Sequence, residues 1–183
     1  LGAIGSHTID SLNWFLGTEI SQVFCQLQTH VKKRKDEKTG EMREVTTDDE
    51  ANLIVRFADG DLLKDATGTI AISMVEHGAY QNRMEFFGAD GTIRIDSRGE
   101  LFIAKAGDKD WKPIEVKLGK SPKGVFDSGF PSGFMAFAPK IIEAIRNGET
   151  EIEHAATFED GLKVQKVIDA AHESNEKNCV VKI

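Results

Sequence analysis

A series of short strand patterns separated by tight turns occupies the middle of the chain and limits its possible folds most strongly. Residues 51–57 alternate between apolar and more polar positions, which is the two-residue period of a half-buried strand. The turn Gly88-Ala89-Asp90-Gly91 contains an Asp-Gly pair that favours a hairpin. Successive hairpins predict a largely antiparallel sheet. Strands are predicted at residues 20–31, 51–57, 66–75, 84–87, 92–95, 100–104, 114–116 and 179–183.

Amphipathic helix patterns flank these strands. Ser6 is predicted to cap the first helix and Gly17 to end it. Ser132 is predicted to cap a second helix that ends at Asn147-Gly148. Pro139 lies inside this second pattern, so the helix either kinks there or begins near residue 138. The apolar stripe of the second pattern comprises Phe134, Phe137, Ala138, Ile141 and Ile145.

The last helix is predicted over residues 158–175, with Thr157 and Asp160 forming its cap. The order of helix, strands and two further helices predicts an α+β fold, with an open, mostly antiparallel sheet carrying helices on one face. We treat residues 1–183 as a single domain. Along strand 66–75, one face carries the small, mixed set Thr69, Ala71, Ser73 and Val75, which suits either a subunit interface or solvent.

Charge and composition exclude several classes of function. The 183 residues carry a formal net charge of −7, which argues against a general nucleic-acid or anionic-membrane binder. The basic run at residues 32–35 is offset by nearby acidic residues and is interpreted as part of a solvated hairpin loop. No apolar run reaches membrane-spanning length. Cys25 and Cys179 have no metal or redox spacing, which indicates reduced thiols in a cytoplasmic protein.

His7 is the leading candidate for chemistry. It is predicted to lie in the first turn of the first helix, where the helix dipole disfavours the imidazolium and leaves a neutral base. Asp10 follows three positions later on the same helical face. The alternative is that His7 and Asp10 form a structural pair that ties the helix to its neighbour. His30, His154 and His172 have no metal-ligand spacing, so no metal site is predicted.

Three stretches in this order resemble the C-terminal domain of the glucose–fructose oxidoreductase, inositol dehydrogenase and MocA family (Gfo/Idh/MocA). They are the helix start Gly5-Ser6-His7-Thr8-Ile9-Asp10, the hairpin from Phe86 to Ile93, and the closing helix from Phe158 to Ser174. The resemblance covers nearly the whole chain. It implies an N-terminal Rossmann domain that binds NAD or NADP and carries a Glu-Lys-Pro motif. Neither feature occurs in this chain.

We therefore expect a fragment of a longer polypeptide, which alone binds no nicotinamide cofactor and is inactive. The resemblance implies that the open face of the sheet forms the interface of a homodimer or homotetramer. It also implies that other residues of the domain bind a small-molecule substrate. The function predicted is the substrate-binding and oligomerisation domain of an NAD(P)-dependent oxidoreductase acting on a sugar, polyol or related hydroxy compound. The alternative is a non-catalytic binding or assembly module that kept the fold.

The resemblance also assigns site residues. His7 falls on the family's active-site His, which contacts the substrate hydroxyl as hydride leaves the same carbon. Many members place an Asp four positions earlier, where this chain has Ala3. Tyr80 falls where some members place a substrate-contacting Tyr, although it also suits a loop aromatic packed on the sheet edge. His77 is a weaker candidate for the same pocket.

Overall fold

The computed structural model describes residues 1–78, 80–117 and 119–183. These residues form two compact units, one of Leu1–His77 with Ala156–Ile183 and the other of Gly78–Ala155. The helices are α1 (Gly2–Leu16), α2 (Phe130–Asn147) and α3 (Phe158–Lys177). The strands are β1 (Ile20–Gln28), β2 (Lys33–Lys35), β3 (Met42–Glu44), β4 (Glu50–Phe57), β5 (Thr67–Ser73), β6 (Met84–Gly88), β7 (Gly91–Ile95), β8 (Leu101–Lys105), β9 (Lys112–Ile114) and β10 (Val181–Lys182).

The α+β class with antiparallel pairing is confirmed. The predicted strands divide between two four-stranded sheets, one ordered β10-β1-β4-β5 and the other β6-β7-β8-β9. Every pairing between neighbouring strands is antiparallel. The single domain over residues 1–183 stays a prediction. Among the described helices, none is sufficiently long and apolar to span a bilayer.

The first unit buries one face of its sheet. The alternation predicted for β4 is confirmed, because Ala51, Leu53, Val55 and Phe57 are buried while Ile54 between them is 59% exposed. Helix α3 packs on β1, and α1 packs beside α3. The buried core comprises Leu1, Ile9, Ile20, Val23, Cys25, Ala51, Leu53, Val55, Phe57, Ile70, Val164, Val167, Ile168, Ala170 and Ala171.

Helix α1 begins one turn earlier than predicted. Its N-cap is Leu1, and Ser6 is not the cap but lies within the helix, where its hydroxyl donates to the Ala3 carbonyl at 3.3 Å. Leu1, Gly5 and Ile9 are all buried and are spaced by four residues, so the apolar stripe starts before Ser6. The predicted end at Gly17 is confirmed, with φ 63° in the left-handed region.

Side chains of α3 complete the outer edge of β1. The Cys25 N–H donates to Ser174 Oγ at 2.9 Å, and the Leu27 N–H donates to Asn175 Oδ1 at 2.8 Å. Strand β10 pairs with β1 only at Gln22 and Val23. The helix therefore satisfies the edge donors that the short terminal strand does not reach.

The exposed loop predicted near residues 32–44 forms the hairpin β2–β3, whose strand residues are all exposed. Asp49 fixes its base. Its two carboxylate oxygens accept from the His30 N–H at 2.7 Å and the Val31 N–H at 2.9 Å. These backbone hydrogen bonds lower the pKa of Asp49 below its ordinary value.

The second unit contains the sheet β6-β7-β8-β9 and helix α2. The predicted hairpin turn is confirmed, with Gly88 paired to Gly91. Gly91 needs to be glycine because a Cβ there would lie 2.4 Å from the Ala104 carbonyl oxygen. On β7, the Arg94 guanidinium lies between the rings of Phe102 and Trp111, at 4.4 and 4.8 Å from their centroids.

Helix α2 begins at Phe130, so the prediction that Ser132 caps it is wrong. Ser132 is buried in the first turn, and its hydroxyl donates to Asp127 Oδ1 at 3.0 Å. Pro139 lies inside the helix, so the alternative start near residue 138 is wrong as well. The predicted apolar stripe is not buried along its length, because Phe134 and Ile145 are both exposed. The helix ends at Gly148 as predicted.

Candidate functional site

Helix α1 presents His7 on the face opposite its buried stripe. Gly5 and Ile9 face the core, whereas His7 is exposed. Ala3, Asp10 and Trp14 lie on the same side as His7, because residues three or four positions apart share one face of a helix. Ala3 and Trp14 are exposed and Asp10 is half-buried. The face that carries His7 is therefore exposed, while the opposite face fixes the helix in the core.

The predicted electrostatic setting of His7 needs correction. The helix begins at Gly2, so His7 lies in its second turn and not in its first. The influence of the helix dipole falls off within the first turn. The dipole argument for a neutral imidazole therefore does not apply to His7, and any role as a base depends on its position and its neighbours.

A close contact ties α1 to the end of β5. A Cβ on Gly5 would lie 3.2 Å from the Ile72 Cδ1 and 2.7 Å from the Leu1 Cδ1, so the missing side chain lets the helix approach the strand closely. His7 follows Gly5 by two residues. His77 follows Ile72 by five residues and is exposed. The segments that lead to His7 and to His77 therefore both start from the contact between Gly5 and Ile72 in the first unit.

Tyr80 belongs to the second unit and is 49% exposed. A place for Tyr80 or His77 beside His7 in one substrate pocket stays a prediction. The three other histidines lie outside α1. The side chain of His30 has its Nε2 2.7 Å from Glu50 Oε2, on the outer face of the first sheet. Among the described residues, no group of three or more His, Cys, Asp or Glu side chains could hold a metal ion.

The described elements do not fit the phosphates of a dinucleotide. Such a site needs a strand, a glycine-rich turn and a helix N-terminus in succession. The turn Gly88-Ala89-Asp90-Gly91 joins two strands and opens no helix. Helix α2 does follow a glycine, but Asp127 accepts from the Gly129 N–H at 3.0 Å and places a carboxylate at the helix start. A carboxylate there would repel a phosphate.

Several residues that position these elements escaped the sequence reasoning. Asp49 holds the base of the β2–β3 hairpin, and Ser174 and Asn175 complete the edge of β1. The role of Asp49 was missed because this residue lies in the acidic run Asp48-Asp49-Glu50, which resembles a solvated turn. Ser174 is fully buried, and its position on the buried stripe of α3, three residues after Ala171, was the available signal.

Comparison with known proteins agrees with this fold. The model of the GFO/IDH/MocA C-terminal domain matches residues 1–94. Glucose-fructose oxidoreductase domain-containing protein 2 from Xenopus tropicalis is 28% identical over 189 residues, which cover 96% of this chain and 47% of the relative. The chain thus spans about half the length of the curated relatives it matches.

Two solved structures are similar over nearly the whole chain. An oxidoreductase domain protein from Kribbella flavida superposes with a TM-score of 0.77 at 24% identity, covering 100% of this chain and 51% of its own. Levoglucosan dehydrogenase, in complex with NADH and L-sorbose, superposes with a TM-score of 0.77 at 26% identity. That match covers 99% of this chain and 49% of the dehydrogenase.

Proposed function

Because the chain belongs to the GFO/IDH/MocA C-terminal domain family, we propose that it is the substrate-binding and oligomerisation domain of an NAD(P)-dependent oxidoreductase. The substrate class is a sugar, a polyol or a related hydroxy compound. The observation that supports the proposal is that His7, which the sequence resemblance assigns to the family's active site, lies on the exposed face of α1. The likeness to a dehydrogenase solved with NADH and L-sorbose supports the substrate class.

His7 holds the reacting hydroxyl and takes up or shares its proton in this proposal. An imidazole suits this task because it accepts a proton at one ring nitrogen and can donate from the other. The buried stripe of α1 keeps the helix fixed, since Ile9 is fully buried beneath it. A fixed helix restricts where the imidazole can lie, which favours a defined approach to the substrate.

Ala3 distinguishes this chain from the members with an Asp at that position. It lies one helical turn before His7 on the same exposed face. A methyl group can neither orient the imidazole nor accept its proton. Proton transfer from His7 in this protein must therefore proceed through solvent, another side chain or a group outside this chain.

The remaining half of the full-length protein binds NAD or NADP in this proposal. The described residues of this chain lack a fitting phosphate site, so the isolated chain should show no heat of binding when titrated with either cofactor. Tight stoichiometric binding by the chain alone would contradict the assignment.

A second copy of the protein covers the outer face of the first sheet. On this face Ile54 pairs with Thr69 and Asn52 pairs with Ala71, which gives a small, uncharged centre. Such a face suits an isologous interface between two copies. We predict a dimer or tetramer in sedimentation experiments at micromolar concentration, and a monomer would contradict this part of the proposal.

The test of the function uses the full-length protein. A panel of sugars and polyols is offered with NAD⁺ and with NADP⁺, and the absorbance of the reduced nicotinamide is followed. Turnover of at least one hydroxy compound supports the oxidoreductase. A protein that binds a sugar in calorimetry, yet reduces neither cofactor with any member of the panel, would instead support the non-catalytic module, for which Ala3 is the motivating feature.

A further inference from the structure

Strand β5 forms an open edge of the first sheet. It lies at the end of the order β10-β1-β4-β5, so only one of its sides is paired with a strand. The Met74 N–H donates to the Asp49 carbonyl at 2.8 Å, which shows that the even-numbered residues of this segment bond to β4. Backbone direction alternates along an antiparallel pair. The N–H and C=O groups that point away from β4 therefore belong to the odd-numbered residues Thr67, Thr69, Ala71 and Ser73.

The outward-pointing residues of β5 are accessible to solvent. Thr67, Thr69 and Ala71 are exposed, and Ser73 is half-buried. Among the described residues, no other segment forms a hydrogen bond to the outward N–H and C=O groups of these four residues. Such a row of backbone donors and acceptors is a template for another strand.

The other edges of the two four-stranded sheets carry features that oppose strand pairing. Strand β10 has two residues, one of them Lys182, and side chains of α3 accept from N–H groups of β1 beyond it. Strand β9 contains Lys112 and Pro113, and β6 contains Glu85. Short length, charge and proline each block edge-to-edge association. Strand β5 has seven residues, no charged side chain and no proline, so it lacks all three.

We propose that β5 pairs antiparallel with β5 of a second copy of the protein and so joins their two first-unit sheets into one continuous sheet. A two-fold axis through Ile70 would place Thr69 opposite Ala71 of the partner subunit and Thr67 opposite Ser73 of the partner subunit. In this register all the outward-pointing residues of both strands exchange backbone hydrogen bonds. The pairing brings no like charges together, because β5 has no charged side chain.

A second copy suits this edge better than a strand of a different protein. A foreign strand would leave its own far side unpaired, whereas two-fold pairing uses the β5 edge of both copies and leaves the protected β10 edge at each end. This edge contact is separate from the outer-face contact proposed above and does not require it. The centre of that face includes Ile54, which lies on the neighbouring strand β4.

Amide hydrogen exchange of the full-length protein, measured at residue resolution over a range of protein concentrations, tests the pairing. The amides of Ile70 and Ile72 face β4 and should be protected at every concentration. The amides of Thr69 and Ala71 should exchange at least about tenfold more slowly in the associated protein than in the monomer. Equal exchange of these two amides in both species, or a protein that stays monomeric at high micromolar concentration, would overturn the proposal.

Two substitutions at one position separate the edge from the outer face. They are compared by sedimentation in an Ile54→Lys background, which places a charge on the outer face and leaves association through the edge. Ala71→Pro removes an outward N–H without removing a bond to β4, whereas Ala71→Val keeps that N–H and adds a similar volume. We expect Ala71→Pro to weaken association at least about tenfold and Ala71→Val to change it little.

Two results of this comparison would contradict the edge contact. One is equal weakening by Ala71→Pro and Ala71→Val, and the other is a monomer produced by Ile54→Lys alone, which would assign all association to the outer face. Neither sedimentation nor hydrogen exchange measures turnover. The outcome is therefore independent of the proposed oxidoreductase activity.

Discussion

The two compact units of the chain bury apolar side chains to very different extents. The first unit has a contiguous core of fifteen buried residues. In the second, Ala144 is the one apolar residue among those described that is buried to the same degree. Large apolar side chains are instead exposed there: Tyr80, Phe87, Ile93, Ile114, Val116, Val125, Phe126, Phe130, Phe134, Met135, Ile142 and Ile145.

One unit has a packed core of its own, whereas the other has large apolar side chains that are exposed. The first unit holds α1, and with it His7, on a packed core. The second unit exposes twelve large apolar side chains and buries little apolar side chain of its own. We expect contacts outside this chain to cover part of that surface in the full-length protein. Its single tryptophan, Trp111, and the first unit's single tryptophan, Trp14, can report on the two units separately.

The largest expected effect comes from removing a core side chain of the first unit. Leu53 is 2% exposed at the centre of β4. Leu53→Ala should lower the free energy of unfolding, followed by Trp14 fluorescence in a Trp111→Phe background, by about 2–5 kcal/mol. The matched change in the second unit, Ile145→Ala in the isolated chain, should cost within about 0.5 kcal/mol. Equal costs would remove the distinction between the units.

The second unit should depend more on a polar–aromatic contact. Asp96 Oδ1 lies 3.3 Å from the Arg94 Nε, but off the direction of the N–H, which leaves that buried donor without an acceptor among the described residues. The guanidinium of Arg94 thus contacts the rings of Phe102 and Trp111 and forms an ion pair with Asp96 without a direct hydrogen bond from Nε. Arg94→Met should destabilise the transition reported by Trp111 by about 1–2 kcal/mol.

Arg83→Met is the control for this change, because Arg83 lies on the same unit and is mostly exposed. It should alter the same transition by less than about 0.5 kcal/mol. If both variants behave alike, the stacked guanidinium does not stabilise the second unit.

A smaller effect should appear in acid, and it should be confined to the first unit. The pKa of Asp49 is lowered in the folded state, so its contribution to stability is present above the ordinary value of 3.8 and is lost as the pH falls through the lowered value. Asp49→Asn should lower stability at neutral pH and flatten this acid dependence in the Trp14 signal. The reason is that an amide has one acceptor oxygen for the two N–H donors of His30 and Val31.

Asp108→Asn provides the comparison in the second unit. Hydrogen bonds from Lys112 and the Lys105 backbone lower the pKa of Asp108 in the same direction. This variant should change the acid dependence of the Trp111 signal and leave that of Trp14 as in the wild type. A change in the Trp14 signal would show that the two units unfold together.

The sequence predicted some elements better than others for a physical reason. The alternation in β4 and the Thr157–Asp160 capping box arise from local periodicity and hydrogen bonding, which the sequence displays directly. The start of α1 was misplaced because Ser6 resembles a cap, whereas the buried Leu1 and Gly5 extend the stripe. The stripe of α2 was misjudged because periodicity indicates an apolar face without showing what covers it.

The site itself was only partly predictable. Sequence resemblance selected His7, and the structure supplies its exposed position on α1. The contact of Gly5 with Ile72 could not be read from the sequence, because it joins segments far apart in the chain. Ser174 escaped notice for the same reason, since its partner Cys25 lies on β1, 149 residues earlier in the chain.

The most direct test of the account is the turnover of His7→Ala in the full-length protein, with a substrate that the wild type oxidises. Loss of a group that holds and shares the hydroxyl proton should lower kcat by a factor on the order of 10²–10⁴, with little change in the affinity for cofactor. His30→Ala, which alters an exposed histidine paired with Glu50 elsewhere on the first unit, should retain turnover near that of the wild type. Near-normal turnover of His7→Ala would show that His7 is a structural residue of α1 and would contradict the proposed site.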